Sequence, residues 1–244
     1  MLLASPDDVR GNRLLAVLSE ADRTRLLPHL HAFDFENGAI LQPAGEDVVH
    51  TWFPCGPALA SFCVSSEPGD LMEGAIIGWE GAVGGVVSNG RIPAFATAQV
   101  RSAGRFLRIR TSALEQAKID SLHLRHWFAR YSDCLFAQLF QTAACNARHT
   151  IRQRACKWLL SASERTGSKE LTMTQEDFAA LLGVGRSFVN RTLHALREEG
   201  LVEMRRGVIV LKNKKRLKQA ACGCSTAIEN HFDEVLHGIY PIGQ

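Results

Sequence analysis

Residues 171–211 constrain the fold more tightly than any other stretch, because they contain two helical patterns separated by a glycine. Thr174 followed by Asp177 has the capping-box spacing that opens a helix. Gly183 ends that helix, since a tight turn there favours a residue comfortable at positive φ. A second helix, from about Ser187 to Glu199, completes a closely crossing pair. The inner faces of the pair are apolar: Phe178, Leu181, Leu182, Val189, Leu193 and Leu196.

The other face of the second helix carries hydrogen-bonding side chains along its N-terminal half. These are spaced i, i+1, i+4, i+5 and i+8: Arg186, Ser187, Asn190, Arg191 and His194. In a helix-turn-helix that half enters the major groove of DNA, where Arg bonds bidentately to guanine and Asn to adenine. We therefore expect Arg186, Ser187, Asn190 and Arg191 to read bases.

A β-hairpin is predicted after the second helix, with a turn at Arg205–Gly207 and a strand at Val208–Leu211. Such a hairpin would form a wing with two arginines at its tip, where they can meet DNA phosphates. The expected phosphate contacts are Thr174, His194, Arg205 and Arg206.

The charge of the chain is distributed unevenly. Residues 1–147 carry 12 basic and 15 acidic side chains. Residues 148–218 carry 16 basic and 7 acidic side chains, and residues 219–244 carry three acidic side chains and no Lys or Arg. The middle segment thus holds all the positive excess, which fits a unit that binds a polyanion. Charge alone would fit a solvated basic surface equally well, but the capping box, turn and wing in the same segment favour DNA binding over a solvated helical hairpin.

The N-terminal part predicts a helix over residues 12–31 and then an antiparallel β-roll to about residue 111. Short apolar runs alternate there with turn residues, which is typical of rolls and barrels. The runs are Phe33–Phe35, Ala39–Leu41, Val48–Phe53, Leu59–Val64, Thr97–Val100 and Phe106–Ile109. The glycine-rich stretch Gly74–Gly90 has neither standard phosphate-loop spacing, so tight turns are the better interpretation.

A long helical stretch without proline follows, from Ser112 to about Arg165. Apolar residues recur in it at steps of three and four, as in a coiled-coil seam. We predict that this seam pairs with a second copy of the chain, although packing against the chain's own roll is the alternative. The seam consists of Leu124, Phe128, Tyr131, Leu135, Leu139 and Thr142.

Composition narrows the class of protein further. The seven cysteines are scattered and form no CxxC pair, so we predict reduced core thiols and no metal site. The sequence contains neither an apolar run long enough to span a membrane nor a signal peptide, which predicts a cytoplasmic protein with no membrane partner. No catalytic triad, zinc-ligand spacing or paired-carboxylate motif stands out, and an enzyme is not expected.

The helical pair and the hairpin resemble the DNA-binding domain of the Crp/Fnr family of regulators. The resemblance rests on Thr174-Gln175-Glu176, Phe178-Ala179, Leu182-Gly183-Val184, Arg186, Val189, Arg191, Leu193, Leu196 and Gly200-Leu201-Val202. It extends to the layout of the whole chain and to a family-like PAGE at Pro43–Glu46. The sequence departs from the family at Gly185, where Ser or Thr is usual, and at Thr192, where an apolar residue is usual.

The resemblance implies an α+β fold in three parts. Residues 1–111 would form a cyclic-nucleotide-binding-like β-roll, residues 112–147 a dimerisation helix, and residues 148–244 a winged helix-turn-helix with a helical tail. It further implies a homodimer that binds a palindromic site on double-stranded DNA and regulates transcription through RNA polymerase.

The effector that this resemblance implies is unknown. Family members that bind cyclic nucleotides carry an arginine for the cyclic phosphate, and no arginine stands directly before Ala96 in the corresponding run Pro93–Ala96, so cyclic AMP is not expected. Glu80 is a candidate ribose contact, and Arg91 or Arg101 would have to replace the missing cation. Haem sensing stays open. Redox sensing at Cys222 and Cys224 also stays open, although packing of these two cysteines on a tail helix over Lys214–His237 is the simpler interpretation.

The main alternative function is a signal sensor or partner-binding protein whose helix-turn-helix is vestigial. The presence of Arg186, Asn190 and Arg191 argues against it.

Overall fold

A computed structural model describes residues 2–65, 71–87 and 93–238 of the chain. Within these ranges the strands lie in two groups, one in the N-terminal half and one near the C-terminus. Their bounds are β1 (Leu2–Leu3), β2 (His31–Phe35), β3 (Ile40–Gln42), β4 (His50–Pro54), β5 (Leu59–Ser65), β6 (Leu71–Ile77), β7 (Val83–Gly84), β8 (Thr97–Ser102), β9 (Gly104–Arg110), β10 (Glu170–Thr172), β11 (Val202–Arg205) and β12 (Val208–Leu211).

The first nine strands form the predicted antiparallel roll. One sheet has the order β1-β2-β9-β4-β7 and the other the order β3-β8-β5-β6. Apolar side chains from both sheets, including Trp52, Ile77, Val100 and Phe106, pack into a common core between them. Each of the six predicted apolar runs overlaps a strand, although Ala39 and Val48–Val49 lie outside β3 and β4. Strands β6 and β7 were missed because they overlap the glycine-rich stretch Gly74–Gly90, which was assigned to turns.

The helices are shorter and more numerous than the sequence predicts. Their bounds are α1 (Pro6–Arg10), α2 (Arg13–Ala16), α3 (Glu20–Leu26), α4 (Thr111–Asp120), α5 (Leu122–Arg148), α6 (Ile151–Thr166), α7 (Gln175–Leu182), α8 (Arg186–Glu198), α9 (Lys214–Ala220) and α10 (Cys224–Leu236). Among the described residues, none of these helices is both long and apolar enough to cross a bilayer.

Local capping explains where the predicted long helices are divided. Asn12 and Ser19 each accept backbone hydrogen bonds as N-caps, which splits the predicted helix over residues 12–31. Ser121 caps α5, and Thr150 opens α6 with a capping box. The proline-free stretch therefore contains three helices, because Ser121 and Thr150 each begin a new helix within it.

Helix α5 packs its inner face against its own chain, which corrects part of the predicted dimer seam. Leu124, Phe128 and Tyr131 are fully buried in a core that also contains Phe232 of α10. The Tyr131 hydroxyl donates to the Ala82 carbonyl and accepts from the Ala82 amide, at 2.9 and 2.8 Å. These three side chains have no surface left for a second copy, so the alternative interpretation holds for them.

The roll and the C-terminal helices are joined by buried polar contacts. The Trp158 indole in α6 donates to Glu73 Oε1 in β6 at 2.6 Å, and Arg165 Nε pairs with Glu80 Oε1 at 2.6 Å. Burial raises the pKa of Glu73 from 4.5 to about 7, even though Arg101 and the Trp158 hydrogen bond oppose the rise. Glu73 Oε2 is buried without a hydrogen-bond partner, which explains the cost of charging this carboxyl.

Glu73→Gln should make the stability of the protein less dependent on pH. Because the pKa of Glu73 is raised in the folded protein, its protonated carboxyl contributes fully to the free energy of unfolding below about pH 4.5, and this contribution is lost as the pH rises through about 7. One pKa unit corresponds to about 1.4 kcal/mol, so the variant should gain roughly 3 kcal/mol over the wild type between these limits. Urea unfolding at a series of pH values measures this difference.

Glu46→Gln provides the control, since Glu46 is exposed. If the free energy of unfolding changes with pH in the same way for Glu73→Gln and for the wild type, the Glu73 carboxyl ionises in the folded protein at no cost in stability.

Candidate nucleic-acid interface

The helix pair α7–α8 is built as its sequence predicts. Thr174 opens α7 with a complete capping box, in which its hydroxyl donates to Asp177 Oδ2 at 2.6 Å and accepts from the Asp177 amide at 3.1 Å. Gly183 follows α7 at φ +61°, and a Cβ there would lie 2.8 Å from the Met72 sulfur in β6. The left-handed turn therefore favours glycine here, whereas the Met72 side chain is flexible and can move away from a Cβ.

The outer face of α8 is open to solvent. Arg186, Ser187, Asn190 and Arg191 are all exposed, whereas Val189, Leu193 and Leu196 on the inner face are buried. The structure thus brings the four expected base-reading side chains onto one accessible surface.

The departure from the usual Ser or Thr at Gly185 has a structural consequence. Gly185 is the N-cap of α8, and no side chain caps the helix there. The Phe188 amide donates to the Gly185 carbonyl at 2.9 Å, but no side chain caps the Arg186 and Ser187 amides, and the positive end of the helix dipole is not covered. The amides at this helix end can donate hydrogen bonds to a phosphate oxygen.

Phe188 is a surface residue that the sequence analysis missed. Its side chain is 50% exposed on α8, and the Arg191 guanidinium lies over its ring at 4.5 Å from the centroid. Aromatic residues usually signal a core, but Phe188 precedes the buried Val189 by one position and so falls off the inner face. The ring fixes the direction of Arg191 and offers an apolar surface of the kind that contacts thymine methyl groups.

The two arginines of the wing are not equivalent. Arg205 donates to Glu203 at 2.9 Å and to Glu170 at 3.0 Å, and these carboxylates raise the pKa of its guanidinium. Glu203 also pairs with Lys212 at 3.0 Å, and its pKa is lowered by both cations. Arg206 is exposed, and no carboxylate of the described residues lies within ion-pair distance of it. Arg206 is therefore the freer cation at the tip.

Four of the expected DNA contacts line one cleft between α7, α8 and the wing: Thr174, Arg186, Arg205 and Arg206. His194 lies further along α8, where its Nδ1 is 3.3 Å from Glu198 Oε1. An acidic neighbour opposes a phosphate contact, which weakens the expectation for His194.

The expected effector residues do not form a common site. Glu80 is half-buried and committed to Arg165, so it is not free for a ribose. Arg101 donates to Ser61 at 2.7 Å and to the Cys63 sulfur at 2.9 Å. Arg91 lies outside the described residues. The structure thus gives Glu80 and Arg101 roles inside the protein.

Comparisons with known proteins agree with this geometry. Residues 153–220 match the family model of the Crp-like helix-turn-helix domain. No curated protein matches the sequence significantly.

Solved structures match over most of the chain. FixK2 from Bradyrhizobium japonicum superposes with a TM-score of 0.65 at 18% identity, over 79% of this chain and 98% of that one. The c-di-GMP-responsive global regulator CLP of Xanthomonas campestris superposes with a TM-score of 0.65 at 16% identity, over 80% of this chain and 100% of that one. A CRP-family transcriptional regulator from Thermus thermophilus superposes with a TM-score of 0.64 at 18% identity, over 78% of this chain and 96% of that one.

The chain therefore has a Crp-like helix-turn-helix domain and the α+β fold of Crp/Fnr family transcriptional regulators. The predicted order of β-roll, long helix and winged helix-turn-helix is confirmed.

Thr174→Ala should lower the free energy of unfolding by about 1 kcal/mol, because it removes the N-cap of α7. Thr174→Ser keeps a hydroxyl and should retain the stability. Denaturant unfolding without DNA measures both variants. A Thr174→Ala protein of unchanged stability would mean that the hydroxyl does not support the helix.

Proposed function

We propose that the protein is a transcription regulator that binds a palindromic site on double-stranded DNA as a homodimer. The observation that carries the proposal is the exposed outer face of α8, which presents Arg186, Asn190 and Arg191. Arg186 also lines a cleft that contains the two wing arginines. This face combines base-reading donors with cations for the backbone, as major-groove recognition requires. Such a role would place the protein with the genome in the cytoplasm and bring it into contact with RNA polymerase.

The proposal assigns base reading to α8 and backbone contact to the wing. Arg186 and Arg191 are candidates for guanine, Asn190 for adenine, and Ser187 for either a base or a phosphate. Arg206 would make the principal phosphate contact of the wing, since Arg205 would first have to exchange its carboxylate partners for DNA.

Support for a dimer comes from a face of α5 that the sequence analysis did not select. Exposed residues recur along it at steps of four and three, and its centre is a stacked pair of phenylalanine rings, Phe136 and Phe140, at 6.4 Å. Phe140 is 72% exposed. The face consists of Leu122, His126, Ala129, Asp133, Phe136, Phe140, Ala143 and Ala147.

A heptad-like spacing of this kind matches a second copy of the same helix better than any other partner. Leu135, Leu139 and Thr142 of the predicted seam keep partial exposure and would flank this pairing. A two-fold axis along α5 would place two α8 helices for two half-sites.

For the effector, we propose a signal other than cyclic AMP or cyclic GMP. Glu80 is paired with Arg165, and Arg101 donates to Ser61 and Cys63. Of the two arginines expected to bind a cyclic phosphate, the one that the structure describes, Arg101, therefore already has partners within the protein. Burying an anionic phosphate without a cation is costly.

Replacing α8 arginines and wing arginines should affect DNA binding differently. Arg186→Ala or Arg191→Ala should remove about 1–3 kcal/mol of discrimination between the operator and a scrambled duplex. Arg206→Ala should weaken both duplexes alike and lower the salt slope by about one. Titrations at several salt concentrations, on an operator selected from genomic fragments, measure these effects.

Arg197→Ala is the matched control, because Arg197 is exposed in the last turn of α8. A wild-type protein that selects no fragment would instead support a sensor with a vestigial helix-turn-helix.

Phe140→Asp should convert the dimer into a monomer, because it places a charge at the centre of the proposed interface. Light scattering should give twice the chain mass for the wild type and the chain mass for the variant. Phe95→Asp is the control, since Phe95 is 91% exposed on the roll. A Phe140→Asp protein that stays dimeric would exclude this face of α5.

A further inference from the structure

Four side chains that are distant in the sequence converge near the C-terminal end of α5. The ligand atoms of Cys145, His149, Cys222 and Cys224 all lie within 4.8 Å of one another. The sulfurs of Cys145 and Cys222 are 3.6 Å apart, as are the Cys224 sulfur and His149 Nδ1. All three cysteines are buried, and His149 is half-buried.

The local structure explains how the four groups meet. Cys145 lies in the last turn of α5, and His149 is the C-cap of that helix, whose amide donates to the Cys145 carbonyl at 3.0 Å. The predicted tail helix is divided between α9 and α10, which places Cys222 in the connection and Cys224 in the first turn of α10. The prediction that both cysteines lie on one tail helix is wrong for Cys222.

Apolar packing does not account for this arrangement. Among the described residues, Cys145, Cys222 and Cys224 form a buried cluster of their own, apart from the three larger apolar cores. The four other cysteines lie among aliphatic and aromatic side chains in those larger cores or beside them. The predicted role as core thiols thus fits those four better than the three that cluster.

Two cations and an amide lie near the cluster. Lys157 lies within electrostatic reach of Cys145, and Arg154 within reach of Cys145 and Cys222. The Gln141 side-chain amide donates to the Cys224 sulfur at 3.1 Å. Hydrogen bonds of this kind hold metal-bound thiolates in place and tune them.

We propose that Cys145, His149, Cys222 and Cys224 bind one zinc ion. A tetrahedral zinc site with bonds of about 2.3 Å to sulfur has ligand atoms about 3.8 Å apart, close to the 3.6 Å found here. Three thiolates and an imidazole are a standard structural set for zinc, and soft sulfur ligands disfavour magnesium and calcium. With four protein ligands the site is closed, so its role is structural.

The zinc ion would tie α10 to the junction between α5 and α6. His149 directly precedes Thr150, which caps α6, and α6 begins the helical part that carries the winged domain. The site would therefore fix the direction in which the chain leaves α5. This inference does not depend on the proposed DNA binding.

Metal analysis of the full chain, purified under reducing conditions without a metal-affinity tag, tests the proposal. We expect one zinc per chain. Replacement by cobalt(II) should give thiolate-to-cobalt charge-transfer absorption and the intense d–d bands of tetrahedral coordination. A reduced, folded protein that holds no zinc after incubation with zinc chloride overturns the proposal. A Cys145–Cys222 disulfide in that preparation, with no zinc bound, overturns it as well.

Variants locate the metal on these residues. Cys222→Ser and Cys224→Ser should lose the zinc, whereas Cys156→Ser should retain it, because Cys156 is buried outside the cluster. Gln141→Ala leaves all four ligands in place and should weaken zinc affinity by about 10–100-fold. If the two ligand variants fail to fold, the zinc affinity of Gln141→Ala still tests whether the metal lies at this cluster. Zinc bound with wild-type affinity in Gln141→Ala and in the soluble ligand variants would place the metal elsewhere.

Discussion

Helix α5 has to satisfy two surfaces at once, and the arrangement of the rest of the chain follows from this constraint. Its inner face supplies Leu124, Phe128 and Tyr131 to the core shared with the roll and with α10. These side chains are fully buried, so each contributes roughly the 1.5–3 kcal/mol expected for a buried large apolar residue. Its opposite face carries Phe136 and Phe140 into solvent. A helix bound this firmly on one side is a rigid support for the pairing proposed on the other.

Much of the helix-turn-helix half could be predicted from the sequence because its signals are local. The capping box at Thr174, the left-handed turn at Gly183 and the alternation of buried Val189 with exposed Asn190 each depend on neighbours within four residues. Local rules also located most strands of the roll, although Gly74 concealed β6 inside a glycine-rich stretch.

Features that depend on distant contacts could not be predicted in this way. The steps of three and four from Leu124 to Thr142 identified an apolar stripe but not what covers it, since Phe232 of α10 comes from a remote segment. For the same reason Glu80 was expected at an effector and was found on Arg165, and Cys145 gave no sign of Cys222, 77 positions away. Spacing along a helix identifies a face, whereas only the fold decides its partner.

The buried pair Arg165–Glu80 limits how the winged domain can move relative to the roll. Both side chains are largely buried, with exposures of 12% and 15%. Separating such a pair without new partners costs about 3–5 kcal/mol, because each charge is left desolvated. Allosteric coupling between two sites usually amounts to about 1–3 kcal/mol. An effector of ordinary coupling strength therefore cannot act by breaking this contact alone. A signal that reorients α8 has to keep Arg165 paired, either by moving the roll and α6 together about α5 or by giving Arg165 another carboxylate, such as Glu229 or Glu164, which already act on it electrostatically.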